Sequence, residues 1–210
     1  MADEDDSRGE AGSPGEAGRG RKPRADAHRN RLRLLETAKA AFAQKGSGAS
    51  LDEIARTAGV GPGTLYRHFP TREALIEAVY RNESEQLIAA AGRLAETNPP
   101  LAALRAWLLL FVDYITTKHG MYEVLDSLVG VSALYSACTV QVTQTIGELA
   151  DRAVASGEIR LDLDPVDLLR ALGGVANLGS GPDGERAAKQ LVDVLIAGIR
   201  TQQRELSSTG

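Results

Sequence analysis

The stretch ASLDEIARTAGVGPGTLYRHFPTREAL, residues 49–75, contains three helix starts within one short span. Ser50-Leu51-Asp52-Glu53 is a capping box: the Ser50 hydroxyl is placed to accept from the Glu53 N–H, and the Glu53 carboxylate to reach back. Asp52 and Glu53 also lie at the positive end of the new helix, and Leu51, Ile54, Ala55 and Ala58 form one apolar stripe of helical period. Gly59 is the expected stop, because a chain leaving a helix commonly needs a left-handed residue. Val60 is a lone apolar plug in the turn. Gly61 serves as N-cap and Pro62 suits the first helical position, where its missing N–H costs nothing. Two short helices joined by a tight glycine-containing turn make a helix-turn-helix.

Taking about 100° per residue along the second helix, Leu65 and Phe69 share the core side. Gly63 and Arg67 point away, with Thr64 and Tyr66 on the flanks and Pro62 and His68 at the edges. Gly63 allows close backbone approach. Arg67 can fork onto guanine O6 and N7, Thr64 can bond a phosphate or touch a thymine methyl, and the Tyr66 hydroxyl suits a phosphate. Thr71 caps a third helix, whose first residue Arg72 opposes the macrodipole unless an external phosphate sits there. The candidate DNA-contacting set is therefore Ser50, Pro62, Gly63, Thr64, Tyr66, Arg67, His68 and Arg72.

On these residues, the string from Arg31 to Tyr80 resembles the DNA-binding head of the TetR family of bacterial transcriptional regulators. Ala38, Phe42 and Gly46 match that family's first-helix core and terminating glycine, Ser50 to Ala58 its second helix, and Gly63-Thr64-Leu65-Tyr66 with Phe69 its recognition helix. Arg72 falls where the family has a phosphate-contacting cation. Many members carry Ser-Lys where this chain has Gly61-Pro62, so Arg67 is left to supply the missing charge. The resemblance implies a ligand-responsive repressor that binds a palindromic operator as a homodimer and is released by a small, largely apolar effector.

The bulk properties agree. Hydrophobic content of 43% is ample for a core, and the Leu, Ala, Glu and Arg richness at helical period argues an all-α fold. The net charge of -4 hides an asymmetry: residues 29–81 hold nine Lys/Arg against five Asp/Glu, and residues 82–210 hold ten against sixteen. A basic head on an acidic body fits nucleic acid meeting one end only. Cys138 stands alone in an apolar helical pattern and reads as a buried thiol, consistent with a reducing cytosol. The three histidines lack partners at ligand spacing, so no metal or cofactor is expected. No nucleophile–base pair or phosphate loop suggests an enzyme. No run reaches transmembrane length and no signal peptide is evident, so a soluble cytoplasmic protein without membrane contact is expected.

The expected organisation is a disordered tail over residues 1–27 with the basic arm RGRKPR, a helix-turn-helix domain over 28–75, and a helical ligand-binding and dimerisation body over 76–205. The first helix runs from about Arg29 to Lys45 with Leu32, Leu35, Ala38 and Phe42 inward. The helix from Thr71 continues to about Ala95 as a lever from head to body. Further helices cover about Leu101–Lys118, Met121–Val129, Ser132–Ser156, Pro165–Leu178, and a last one ending near Gln203. Gly173, Gly174 and Gly198 inside the last two each cost roughly 1 kcal/mol relative to Ala, which close helix approach would offset, either within a buried bundle or against a symmetry mate, where the resemblance puts the dimer contact. Trp107, Phe111, Tyr114, Met121, Tyr122, Leu125, Leu128 and Tyr135, with Asn177 as a polar contact, are the candidate effector-binding residues.

Overall fold

A computed structural model describes residues 21–120, 131–178 and 182–201. Among them the regular elements are helices: α1 (Arg21–Lys45), a 3-10 turn (Gly46–Gly48), α2 (Leu51–Thr57), α3 (Pro62–His68), α4 (Arg72–Thr97), α5 (Pro100–Gly120), α6 (Val131–Ala155), α7 (Pro165–Leu178) and α8 (Pro182–Ile199). The fold is all-α, with a three-helix N-terminal head leading into a helical body. The expected helix Met121–Val129 and the tail 1–20 lie outside the described residues.

Left-handed glycines terminate three segments as their sequence context predicts. Gly46, Gly59 and Gly157 have φ of 51°, 67° and 75°, conformations an L side chain adopts only at a penalty. Asp164 caps α7 by accepting from the Val166 N–H at 2.9 Å, with Pro165 at the first helical position.

The α1 reading needs two corrections. The helix already includes residues 21–27, inside the segment expected to be a disordered arm: Arg, Lys and Ala favour helix. Its buried face is Leu34, Leu35, Ala38 and Phe42, while Leu32 is exposed. Leu32 lies about 110° from the centre of that face, so the angular arithmetic favours Leu34. Downstream, α8 ends at Ile199 rather than near Gln203. The chain there pairs with the turn after α6, through Arg160 N–H to Ile199 O at 2.9 Å and Thr201 N–H to Glu158 O at 3.0 Å. That pairing satisfies backbone groups a longer helix would have used.

One continuous core runs from Leu34 through Leu65, Leu75 and Trp107 to Ile196. α4 links its two parts: Leu75, Ile76 and Val79 are buried at its head end, and Leu87, Ala90 and Ala91 further along. α5 packs against α1, α4, α6, α7 and α8. It is long and apolar enough by composition to cross a membrane, contrary to expectation. Its central place in the bundle accounts for that, since a helix covered on several sides is apolar nearly all round. Two of its charged groups, Arg105 and Asp113, pair with α8, at 2.6 Å to Asp193 and 2.6 Å to Lys189.

α7 and α8 pack on one another and against α5, burying Leu168, Leu172, Ala188, Val192 and Ile196. Each keeps a second stripe outside. On α7 it is Ala171, Gly174 and Leu178, the last 88% exposed; on α8 it is Ala187, Val194 (64% exposed) and Gly198, bordered by half-buried Leu191. A Cβ added at Gly173, Gly174 or Gly198 would meet nothing within 4 Å. These glycines are therefore not explained by close packing within the chain.

Candidate nucleic-acid interface

The turn-helix unit is built from local capping and two apolar anchors. Ser50 Oγ accepts from the Glu53 N–H at 3.4 Å. The other half of the capping box is replaced: Lys45 Nζ donates to both Glu53 oxygens at 2.7 Å and holds that carboxyl below its usual range. The pair ties the end of α1 to the start of α2. After Gly59, half-buried Val60 packs on the core and its N–H donates to Ala55 O at 3.0 Å. Gly61 is extended, and Thr64 and Leu65 donate back to its carbonyl.

Leu65 is fully buried and Phe69 nearly so. Burial of two such side chains contributes ~1.5–3 kcal/mol each and fixes the rotation of α3 about its axis. That rotation leaves Pro62, Gly63, Tyr66 and Arg67 exposed, with Thr64 and His68 half-buried at the edges. Tyr66 is 46% exposed, large for an aromatic residue on a short helix. A Cβ at Gly63 would meet nothing within 4 Å, so the helix can meet a flat partner at backbone distance. Pro62, Gly63, Tyr66 and Arg67 thus lie on the solvent side of α3, and Ser50 is at the N-terminus of α2 with its hydroxyl engaged by the Glu53 N–H.

Arg72 is the exception. Thr71 caps α4 by accepting from the Ala74 N–H at 3.1 Å, as expected. The Arg72 guanidinium, however, turns inward: Nη1 donates to Ala49 O at 2.5 Å, and Nη2 to Ser47 O at 2.8 Å and Gly46 O at 3.4 Å. Its Cζ also lies 5.2 Å from the Phe42 ring centroid. A cation at this helix start is therefore accounted for by three carbonyls of the α1–α2 link, without a phosphate. Sequence proximity concealed the contact, which spans more than twenty residues. Two further cations border the unit unforeseen: Arg31 Cζ lies 5.5 Å from the Phe69 centroid, and Arg33 Nη1 stands beside Gly59.

In the body, Trp107, Phe111 and Tyr114 come together as expected but as packed core. Ring centroids are 6.0 Å apart for Trp107–Phe111 and 6.2 Å for Phe111–Tyr114, and Trp107 Nε1 donates to Leu87 O at 2.9 Å. Asn177 is corrected: it is exposed, on the side of α7 opposite Leu168 and Leu172, because helical period carries it there. Met121, Tyr122, Leu125 and Leu128 lie outside the described residues, as does the side chain of Tyr135, whose backbone is in α6.

A polar cluster beside these rings was not foreseen from residue spacing. Buried Ser84 donates to Tyr80 O and pairs with the Tyr114 hydroxyl, both at 3.1 Å. Lys118 Nζ lies 5.4 Å from the Tyr80 ring centroid. Burial raises the Tyr114 phenol above its ordinary pKa and lowers that of Lys118. Cys138 is a free, buried thiol. Among the described residues no group of acids, His and Cys is placed to hold a metal ion.

Comparison with known proteins agrees with this geometry. Residues 34–79 match the family described as bacterial regulatory proteins, tetR family, and residues 99–201 the transcriptional regulator SbtR-like C-terminal domain. The TetR transcriptional regulator SCO0520 of Streptomyces coelicolor is 43% identical, covering 82% of this chain and 99% of that one, with a TM-score of 0.75. A TetR regulatory protein of Mycobacterium vanbaalenii is 32% identical over 85% and 99% of the two chains, with a TM-score of 0.71. The transcriptional repressor KstR2 of Mycolicibacterium smegmatis is 27% identical over 81% of this chain and 90% of its own.

Proposed function

The chain belongs to the TetR family and is a DNA-binding transcriptional regulator; from that premise we propose that it is a cytoplasmic homodimeric repressor, released from a palindromic operator by a small effector. The observation that carries the proposal is the outward face of α3. Gly63, Thr64, Tyr66 and Arg67 stand on one surface because Leu65 and Phe69 anchor the other. Arg67 suits bidentate reading of guanine, Thr64 suits phosphate or thymine, Tyr66 suits phosphate, and Gly63 admits the groove wall.

Dimerisation through α7 and α8 is supported by the exposed stripes Ala171–Gly174–Leu178 and Ala187–Val194–Gly198. Small residues on both helices would let a symmetry mate approach closely and recover the helix propensity that the glycines lose. Two recognition helices in such a dimer must sit about one helical turn of DNA, ~34–36 Å, or a multiple apart.

The aromatic cluster Trp107–Phe111–Tyr114 is packed core, and Ser84 and the Tyr114 hydroxyl beside it already pair with each other. A small, largely apolar effector is therefore proposed from the likeness to TetR regulators. Such a ligand shifts the spacing of the heads only by its difference in affinity for the two arrangements, and α4 is the lever. The regulators it resembles are not enzymes, and an enzymatic role is not proposed.

Selection of bound duplexes from a random pool by the full-length protein tests the proposal. It predicts enrichment of a two-fold symmetric sequence with half-sites about one turn apart. Enrichment of no sequence over random competitor at low ionic strength would contradict it.

A further inference from the structure

The matched regulatory head begins at residue 34, but α1 extends back at least to Arg21. Residues 21–33 carry Arg21, Lys22, Arg24, Arg29, Arg31 and Arg33 against one acid, Asp26. Two of these cations are held against the reading unit at separate points. Arg31 lies over Phe69, which closes α3, and Arg33 reaches Gly59 in the turn before it. The basic stretch of α1 thus borders the turn before α3 and the residue that closes it.

Arg29 is exposed and pairs with Asp26; Arg33 Nη2 donates to Asn30 Oδ1 at 2.6 Å. Both bonds lie within α1, so neither guanidinium is tied to another element by them. Arg29 and Arg33 stand four apart on one helix face, where like charges repel. A polyanion lying along the helix removes that repulsion. At 1.5 Å per residue, residues 21–33 extend about 18–20 Å, comparable with the phosphates of roughly six nucleotides on one strand.

We infer that the N-terminal stretch of α1 is a second DNA-contacting surface, a helical ridge on which Arg29 and Arg33 neutralise phosphates flanking the groove that α3 enters. The inference rests on the DNA-binding reading of α3. It differs from an extended arm in a minor groove: the chain is helical here, and phosphate contacts carry no base preference.

The test uses the full chain with Arg29→Gln and Arg33→Gln, singly and together. Affinity for a selected operator is measured across a salt series, on duplexes ending at the half-sites and on duplexes with added flanks. The wild type is expected to bind the flanked duplex more tightly. Each substitution should lower the salt slope by about 0.9 per subunit, which is about 3.5-fold less loss between 50 and 200 mM salt per contact. The double variant should lose the benefit of the flanks and keep the base preference. Arg29 is far from the core, so its variant reports on DNA contact even if Arg33→Gln disturbs the turn. An unchanged slope and flank dependence in the Arg29 variant, with the wild type binding its operator, would overturn the ridge alone. A wild type that prefers no duplex would overturn the reading of α3 as well.

Discussion

Replacing Arg72 by alanine separates a clamp within the head from a contact to DNA. The substitution removes charge-assisted hydrogen bonds to Ala49 O at 2.5 Å and Ser47 O at 2.8 Å, a long one to Gly46 O, and the stack on Phe42. Hydrogen bonds to a charged group contribute ~1.5–3 kcal/mol each. The site is half-exposed, so water replaces part of that for the Ser47 carbonyl, and about 2 kcal/mol is retained for the pair. The ring contact adds ~0.5–1 kcal/mol. A loss of about 3 kcal/mol follows, which for a chain of this size lowers Tm by roughly 6–12 °C. Circular dichroism melts measure it. Alongside, the salt dependence of operator binding should keep its slope, because no phosphate contact is removed. Arg72→Lys distinguishes the two roles: a lysine keeps the charge but cannot fork across several carbonyls, so the melt should stay low. The reasoning is refuted if the alanine variant melts like the wild type while its salt slope falls by about one.

Four other outcomes are expected. Arg67→Ala should relax base preference at one operator position by ~1–3 kcal/mol, read by competition with single-base operator variants; unchanged preference removes Arg67 from base reading. Gly63→Ala should stabilise the free protein by up to about 1 kcal/mol, because its Cβ enters open space, while weakening operator binding by filling the approach surface. Equal or tighter binding would show that the backbone does not come close there. Val194→Glu should give monomers in sedimentation velocity and weaken operator binding, since it places charge on the exposed α8 stripe; a dimer of unchanged strength moves the interface elsewhere. Tyr114→Phe addresses pH. The folded phenol is raised by burial, so its stabilising contribution is complete below about pH 10 and is lost as pH rises through the folded value. Urea unfolding of the wild type should weaken above pH 10, by at most ~1.4 kcal/mol per pH unit from this group, and less steeply in the variant.

The parts of the fold that read directly from the chain are those decided within one or two helical turns. The Ser50 and Thr71 caps, the Gly59 stop, Pro62 at its helix start and the Leu65–Phe69 anchor all depend on neighbours a few residues away, and all appear where local chemistry puts them. The exposed face of α3 follows from the same arithmetic. Groups whose partners lie across the fold did not read this way. Glu53 exchanges a local cap for Lys45, Arg72 reaches back to the α1–α2 link, and Ser84 finds Tyr114 on the next helix. For a long side chain, spacing fixes where it starts and not which acceptor it meets. Leu32 and Asn177 failed differently: their helices were identified correctly, but angular position rather than apolar or polar character decides which side is buried.

The insertion of α3 into a major groove is tested most directly by methylation interference on a selected operator, which blocks guanine N7 one base at a time. Two clusters of interfering guanines about one helical turn apart are expected, with the guanine facing Arg67 losing its effect in the Arg67→Ala variant. Binding indifferent to N7 methylation throughout the operator would contradict major-groove reading by this helix.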